Sequence, residues 1–267
     1  MRMKRSYTLI LILISLPLFL FAQGEDETSA ASRYDSYAGK TSMGPKIVAS
    51  TSWVGAIAEA AGASQVQVLA PVELRHPPEY DFSPKDIISA SQADLVLWAG
   101  YEGFVKNLAK AAGIGEERLV KVNTNNAPDQ LAQSVEAIAQ LLGTTDRYDA
   151  WKEKLDVLAS RLLAASAGQE NTKKRAAVQF HHQNLARYLG YDVVYVFGPQ
   201  ELTLNDLRKV DELNPDTIID NWHSVQGQSF ATSERSYVQL INFPGPFGTR
   251  SILDVLEYNG RQLGLLD

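Results

Sequence analysis

The chain of 267 residues contains four histidines, and each lies shortly after a segment typical of a buried strand. His76 follows QVQVLAP, the adjacent residues His181 and His182 follow AAVQF, and His223 follows TIID. In open α/β sheets the carboxyl ends of the strands form the edge at which ligands bind. Because imidazole is the commonest metal ligand among side chains, we predict that these histidines converge on one metal site.

A carboxylate would complete such a site, because Zn²⁺ takes nitrogen and oxygen donors in roughly tetrahedral sites. A single histidine after a strand is more often a helix cap or a surface residue, so it is the joint placement that favours a metal. Adjacent residues of a continuing strand point to opposite faces, which leaves open which histidine of the pair binds. The candidate ligands are therefore His76, His181, His182, His223, Asp220 and Glu79.

The elements that must position these residues alternate along the chain. KIVAS, QVQVLAP and DLVLWAG are predicted strands, and the segments WVGAIAEAAGA, SPKDIISASQA and YEGFVKNLAKAAG are predicted helices. Ser83 is the expected N-cap of the second helix, with Pro84 at its first position. Alternating strands and helices indicate a parallel sheet with helices on its faces.

The alternation stops after this first lobe and returns later. APDQLAQSVEAIAQLLG and RYDAWKEKLDVLASRLLAASAG are predicted helices with no strand between them, either two surface helices or a helical connection. After Lys173 strands and helices alternate again. We predict an α/β fold of two Rossmann-like lobes, 45–128 and 169–267, joined by a long backbone helix within 129–168, with the ligand cleft between the lobes.

The first 22 residues have the pattern of a secretory signal peptide, with a basic start, an apolar run and a small residue before a polar stretch. Residues 23–44 are polar and small, which predicts a flexible leader. The chain has no cysteine, hence no disulfide and no lipid-modified cysteine at the cleavage site. We expect a soluble periplasmic protein, with an uncleaved anchor as the alternative.

Composition excludes several classes of partner and reaction. The net charge is −6, and outside the first five residues the longest run of lysine and arginine is the three residues Lys173–Arg175, which argues against a nucleic-acid partner. The sequence contains no G-x-S-x-G, no H-E-x-x-H and no phosphate-binding glycine loop. We predict a binding protein, expected to be a monomer. The alternative from another class is a secreted metal-dependent hydrolase with Glu79 or Asp220 as its base.

Residues 45–263 resemble the zinc/manganese-binding solute receptors of ABC transporters, the TroA-like (ZnuA-like) family. The resemblance is carried by KIVASTSW, by the loop HPPEY before SPKD, by ADLVLWAG, and by FHHQNLARYLGYDVV. It implies two lobes joined by a rigid helix, and a metal ion carried as cargo to an ABC permease. It also implies that ligand binding changes local loops rather than the angle between the lobes.

Residue by residue, the family's ligand pattern is rearranged here. The position of its first histidine is held by Pro78, with His76 two residues earlier in the same loop. Its second histidine has no counterpart, since the matching segment VNTNNAPDQ offers only Asn125 and Asn126.

In the second lobe the family's third ligand falls on His181 or His182. Its late acid falls on Asn242, for which His223 is the expected replacement. Three imidazoles and a carboxylate favour Zn²⁺, with Mn²⁺ as the other candidate. The alternative within binding proteins is a receptor for a larger metal chelate such as a siderophore or corrinoid, held by the aromatic residues Trp53, Trp98, Tyr101, Trp222 and Phe247.

Overall fold

The computed structural model describes residues 44–72, 74, 79–168 and 174–267. The predicted signal peptide and almost all of the predicted leader lie outside these residues. His76 and Pro78 lie outside them as well, so the structure is silent on both.

The first lobe is built on four parallel strands. These are β1 (Lys46–Ala49), β2 (Gln65–Val68), β3 (Leu95–Trp98) and β4 (Leu119–Lys121), in the spatial order β2-β1-β3-β4. The helices α1 (Ser52–Ala60), α2 (Pro84–Ser91) and α3 (Gly103–Ala111) connect them. Strand β4 was not predicted, because its three residues are too few to show a pattern.

The second lobe repeats this topology. Its parallel strands are β5 (Arg175–Gln179), β6 (Asp192–Phe197), β7 (Thr217–Asn221) and β8 (Ser236–Leu240), in the order β6-β5-β7-β8. The helices α6 (Gln183–Tyr188), α7 (Leu204–Leu213) and α8 (Ile252–Gln262) belong to this lobe. Short 3₁₀ helices lie at Glu116–Arg118, Phe180–His182 and Gly227–Phe230. The predicted α/β fold of two lobes is confirmed.

Local chemistry explains where the helices begin. Ser83 is the N-cap of α2, its hydroxyl accepts from the backbone of Asp86, and the Asp86 carboxylate accepts in return from the backbone of Ser83, while Pro84 holds the first position. Thr203 and Ser251 begin α7 and α8 with the same reciprocal pair of bonds. The predicted start of α2 is confirmed at this residue.

Two helices lie between the lobes, α4 (Pro128–Leu142) and α5 (Thr145–Gly168). At a rise of about 1.5 Å per residue the 24 residues of α5 extend over roughly 36 Å, the length of a small domain. Its buried face contains Leu155 and Leu162, which belong to the same continuous hydrophobic core as Ile47 of β1 and Ile219 of β7. The two sheets therefore share one core, with α5 packed along it.

Among the described residues, no helix combines the length and the apolar character that crossing a bilayer requires.

Candidate functional site

The carboxyl ends of the strands in both lobes border one cleft of about 760 Å³. From the first lobe it is lined by Thr51, Trp53, Glu79, Tyr101 and residues 123–126. From the second lobe it is lined chiefly by residues that follow β5, β7 and β8, among them Phe180, His181, His223, Asn242 and Phe243. Ligand binding at such an edge is the rule for open α/β sheets.

The structure separates the two adjacent histidines. Strand β5 runs into the 3₁₀ helix Phe180–His182, and the side chain of Gln179 accepts a 2.8 Å hydrogen bond from the backbone of His181. Within this tight turn the half-buried His181 lines the cleft, where its ring meets that of Phe180 edge-on at 5.5 Å. His182 does not line the cleft and is completely buried.

Burial lowers the pKa of His182 to about 3, and the neighbouring imidazoles of His181 and His223 add to the effect. The side chain of Asn221 and the backbone of Leu240 oppose part of this shift, although no hydrogen bond of good geometry reaches either ring nitrogen from the described residues. His182 is therefore a neutral core residue at physiological pH.

His223 approaches the cleft from the end of β7. Its backbone nitrogen donates to the side-chain oxygen of Asn221 at 3.0 Å, and its Nδ1 accepts from the backbone of Asn242 at 3.5 Å. The ring packs against Phe243 with 3.5 Å between centroids and is 2% exposed. These contacts hold the imidazole at one place on the cleft wall.

Asp220 does not line the cleft. Its buried carboxylate accepts hydrogen bonds from the backbone of Asn221, Gln226 and Gly227 and from the hydroxyl of Tyr237. Burial and the nearby carboxylate together raise the pKa of Tyr237, which stays protonated as a donor. The carboxylate thus fixes the turn after β7 from beneath.

Glu79 borders the cleft from the first lobe and is exposed to it. Among the described residues that line the cleft, Glu79 is the one carboxylate, and none of these residues is a lysine or an arginine. Across the part of the chain that the structure describes, no group of three His, Cys, Asp or Glu side chains is close enough to hold a metal ion. Most other polar groups lining the cleft are neutral amides.

Sequence reasoning missed one further carboxylate near this edge. Glu102, fully buried at the start of α3, accepts hydrogen bonds from the hydroxyl of Ser50 at 2.6 Å and from the backbone of Ala99 and Tyr101. It ties the ends of β1 and β3 together behind the cleft. Its sequence context, an acidic residue ahead of a helix, is too common to have singled it out.

Comparison with known proteins establishes the fold. No protein-family model and no curated protein matches the chain. Solved structures do match, including FpvC of Pseudomonas aeruginosa, a solute-binding protein in complex with Mn²⁺, at 16% identity and a TM-score of 0.66, covering 82% of this chain and 96% of that one.

Two streptococcal structures match equally broadly. A Zn(II)-bound variant of AdcAII from Streptococcus pneumoniae has 17% identity and a TM-score of 0.57, covering 82% of this chain and 98% of its own. Lmb of Streptococcus agalactiae, a laminin-binding protein described as an adhesin with metal-transporting activity, has 16% identity and a TM-score of 0.62, with 82% and 98% covered. The chain has the fold of these proteins.

Proposed function

We propose that this chain, which shares its fold with solute-binding proteins that hold Zn(II) or Mn²⁺, captures a divalent transition metal ion in the cleft and delivers it to an ABC permease. One observation carries the proposal. His181 and His223 each lie two residues beyond the end of a strand, β5 and β7, and these strands are neighbours in the sheet. Neighbouring strands are about 4.8 Å apart, and both histidines line the same cleft, which supports a shared ligand.

The proposed ligand set is narrower than the sequence suggested. We include His181 and His223 from the second lobe and Glu79 from the first. His76 stays in the set because it lies three residues before Glu79 in the sequence. We leave out His182, which is buried and does not line the cleft, and Asp220, whose carboxylate already accepts from four donors.

Binding rather than turnover is the proposed activity. The matching proteins named above are described as solute-binding, laminin-binding or metal-transporting. A hydrolase would need a general base beside an open coordination position, and the exposed Glu79 is the one carboxylate among the described lining residues. We further propose that the protein works outside the cytoplasm after its first 22 residues are removed, as a monomer.

Isothermal titration of the metal-stripped protein, residues 23–267, with Zn²⁺ and with Mn²⁺ tests this function. We expect one ion per chain, and binding weakened about tenfold or more, about 1.4 kcal/mol, by His223→Ala and by His181→Ala. Because imidazole binds metal only when neutral, affinity should also fall as the pH drops below about 6.5.

The matched control is Asn184→Ala, which removes an exposed amide from the lining of the same cleft and leaves every histidine in place. It should leave affinity unchanged. A wild-type protein that binds neither ion would overturn the proposed function.

A further inference from the structure

The cleft is larger than a bare metal ion requires. A hydration shell of six water molecules occupies roughly 180 Å³, at about 30 Å³ for each molecule. The cleft measures about 760 Å³. Pockets of roughly 300–1,000 Å³ are the size that holds small organic molecules. The volume therefore leaves room for an organic group beside the ion.

Two aromatic residues of the lining are exposed, one in each lobe. Tyr101 follows β3 and is 57% exposed, and Phe180 follows β5 and is 46% exposed. The other aromatic residues of the lining, Trp53 and Phe243, are buried. Exposed aromatic rings in a concave site are typical of pockets for organic ligands, because covering such rings removes apolar surface from water.

Phe180 lies directly beside a candidate ligand of the metal ion. Its ring meets the ring of His181 edge-on, with 5.5 Å between the centroids. An ion bound to this imidazole would lie about 2 Å from the coordinating nitrogen. An organic group attached to that ion therefore comes within reach of the Phe180 ring.

Tyr101 is held in place from behind by the buried carboxylate of Glu102. This carboxylate accepts hydrogen bonds from the backbone of Tyr101 at 3.2 Å, from the backbone of Ala99 at 3.1 Å and from the hydroxyl of Ser50 at 2.6 Å. The backbone that carries the exposed ring is thus fixed before any ligand arrives. Such preorganisation lowers the entropic cost of binding.

The charge of the lining favours an anionic partner for the ion. Glu79 is the one carboxylate among the described residues of the lining, and most of the other polar groups there are uncharged amides and hydroxyls. Glu79 offsets one of the two charges of a divalent ion. A ligand with one negative charge offsets the other, and a neutral complex suits a wall of amides and aromatic rings.

We propose that the cleft holds the metal ion together with a small anionic chelator that contains a flat ring, and that this ring contacts Tyr101 and Phe180. The inference rests on the proposed function and adds an organic co-ligand to it. The chelator supplies coordinating atoms to the ion, and its ring covers the exposed aromatic residues by offset or edge-to-face stacking. Such a ligand is far smaller than a siderophore or a corrinoid.

Pyridine-2-carboxylate and glycine are a matched pair of probes for this site. Both chelate a metal ion through one nitrogen and one carboxylate oxygen, but only pyridine-2-carboxylate has a ring. Each is titrated into the protein loaded with one equivalent of Zn²⁺. We expect one pyridine-2-carboxylate per chain, bound about tenfold or more tightly than glycine. Native mass spectrometry distinguishes a complex of protein, ion and chelator from removal of the ion by the chelator.

Variants of the two exposed rings test the contact itself. Tyr101→Ala and Phe180→Ala should each weaken the binding of pyridine-2-carboxylate about tenfold and change the affinity for Zn²⁺ alone by less than about twofold. Tyr101→Phe keeps the ring and should match wild type. Leu204→Ala should match it too, because it removes a 74% exposed apolar side chain that does not line the cleft.

Equal affinity for the two probes, or unchanged binding of pyridine-2-carboxylate in both alanine variants, would overturn the inference. If Zn²⁺ alone still binds in that case and His223→Ala weakens it, the proposed function stands without the co-ligand. A protein that holds Zn²⁺ neither alone nor with a chelator would contradict the proposed function as well. If Phe180→Ala disturbs the adjacent His181 and weakens Zn²⁺ binding, Tyr101→Ala decides, because Tyr101 lies in the other lobe.

Discussion

The hydroxyl of Tyr237 donates a hydrogen bond of 2.8 Å to the Oδ2 atom of Asp220, across two neighbouring strands and beneath the turn that carries His223. Together with three backbone N–H donors, this hydroxyl surrounds the buried carboxylate of Asp220. None of the described hydrogen-bond donors to this carboxylate is a cation. The carboxylate acts as a fixed acceptor that shapes the turn.

Asp220→Asn should therefore destabilise the protein. The amide has one acceptor oxygen, and its nitrogen is itself a donor, so at least one buried N–H or O–H group loses its partner. We expect the free energy of unfolding to fall by about 3 kcal/mol, measured by urea denaturation. Asp211→Asn is the matched control, since this 71% exposed carboxylate pairs with Arg235 at the surface and should contribute less than about 1 kcal/mol. Unchanged stability with collapsed metal affinity would instead make Asp220 a ligand.

The adjacent histidines should respond oppositely to alanine substitution. His181→Ala should weaken metal binding about tenfold or more and change stability little, because the ring lies on the cleft. His182→Ala should lower the free energy of unfolding by about 2–4 kcal/mol, because it opens a cavity in the core. Titration and urea denaturation of both variants measure the two effects. The reverse pattern would exchange the roles assigned to the pair.

The buried His182 should make the metal-free protein less stable in mild acid. The pKa of this histidine is lowered from 6.5 to about 3 on folding, so the unfolded chain binds a proton that the folded chain does not. Its contribution is fully present above pH 6.5 and is lost progressively as the pH falls toward 3. Between pH 8 and pH 5.5 we expect a loss of about 1.4 kcal/mol in the free energy of unfolding.

Urea denaturation in the presence of a chelator, at a series of pH values, measures this slope. His182→Gln cannot bind the proton and should show a flatter profile over the same range, whatever its absolute stability. An equally steep profile in this variant would assign the pH dependence to other groups.

Gly245 should tolerate no side chain, because it lies against the first lobe. Its φ of 133° is unfavourable for other residues, and an added Cβ would overlap the Cγ1 atom of Val72. We expect Gly245→Ala to lower the free energy of unfolding by about 2–4 kcal/mol. Metal binding should weaken too, since Val72 begins the segment that leads to Glu79.

Gly248→Ala separates backbone strain from the clash. Gly248 also has a positive φ, 77°, but nothing lies within 4 Å of an added Cβ, so this change should cost only about 1 kcal/mol. Combining Gly245→Ala with Val72→Ala should recover part of the lost stability in a double-mutant cycle. Additive effects of the two changes would show that the contact does not matter.

Much of the fold can be predicted from local sequence signals, whereas the residues of the candidate site are harder to predict in this way. Ser83 and Pro84 mark the start of α2 because a cap and a fixed φ act within one turn. The hydrogen bond that occupies Asp220 comes from Tyr237, 17 residues away, and no local pattern reports it. The choice between His181 and His182 depends on a 3₁₀ turn at the end of β5, whereas alternation along a strand assumes that the strand continues.

The asparagines that line the cleft also show what local sequence patterns cannot predict. As residue types in a sequence they are ordinary loop formers, and Asn123 and Asn125 act as such. Only the three-dimensional structure distinguishes them from Asn126 and Asn242, whose buried oxygens lack partners among the described residues. Burial and hydrogen bonding depend on chain segments that are far apart in sequence.

The hydrophobic core that runs without a break from β1 through α5 to β7 has a consequence for folding. Removing either lobe would expose the apolar inner face of the other to water. The lobes therefore form one cooperative unit, and the chain should unfold thermally in a single transition. An ion bound by side chains from both lobes would then stabilise the whole chain at once, since binding to the native state alone raises its free energy of unfolding. The protein thus has two lobes in its architecture, and we expect them to unfold together as one unit.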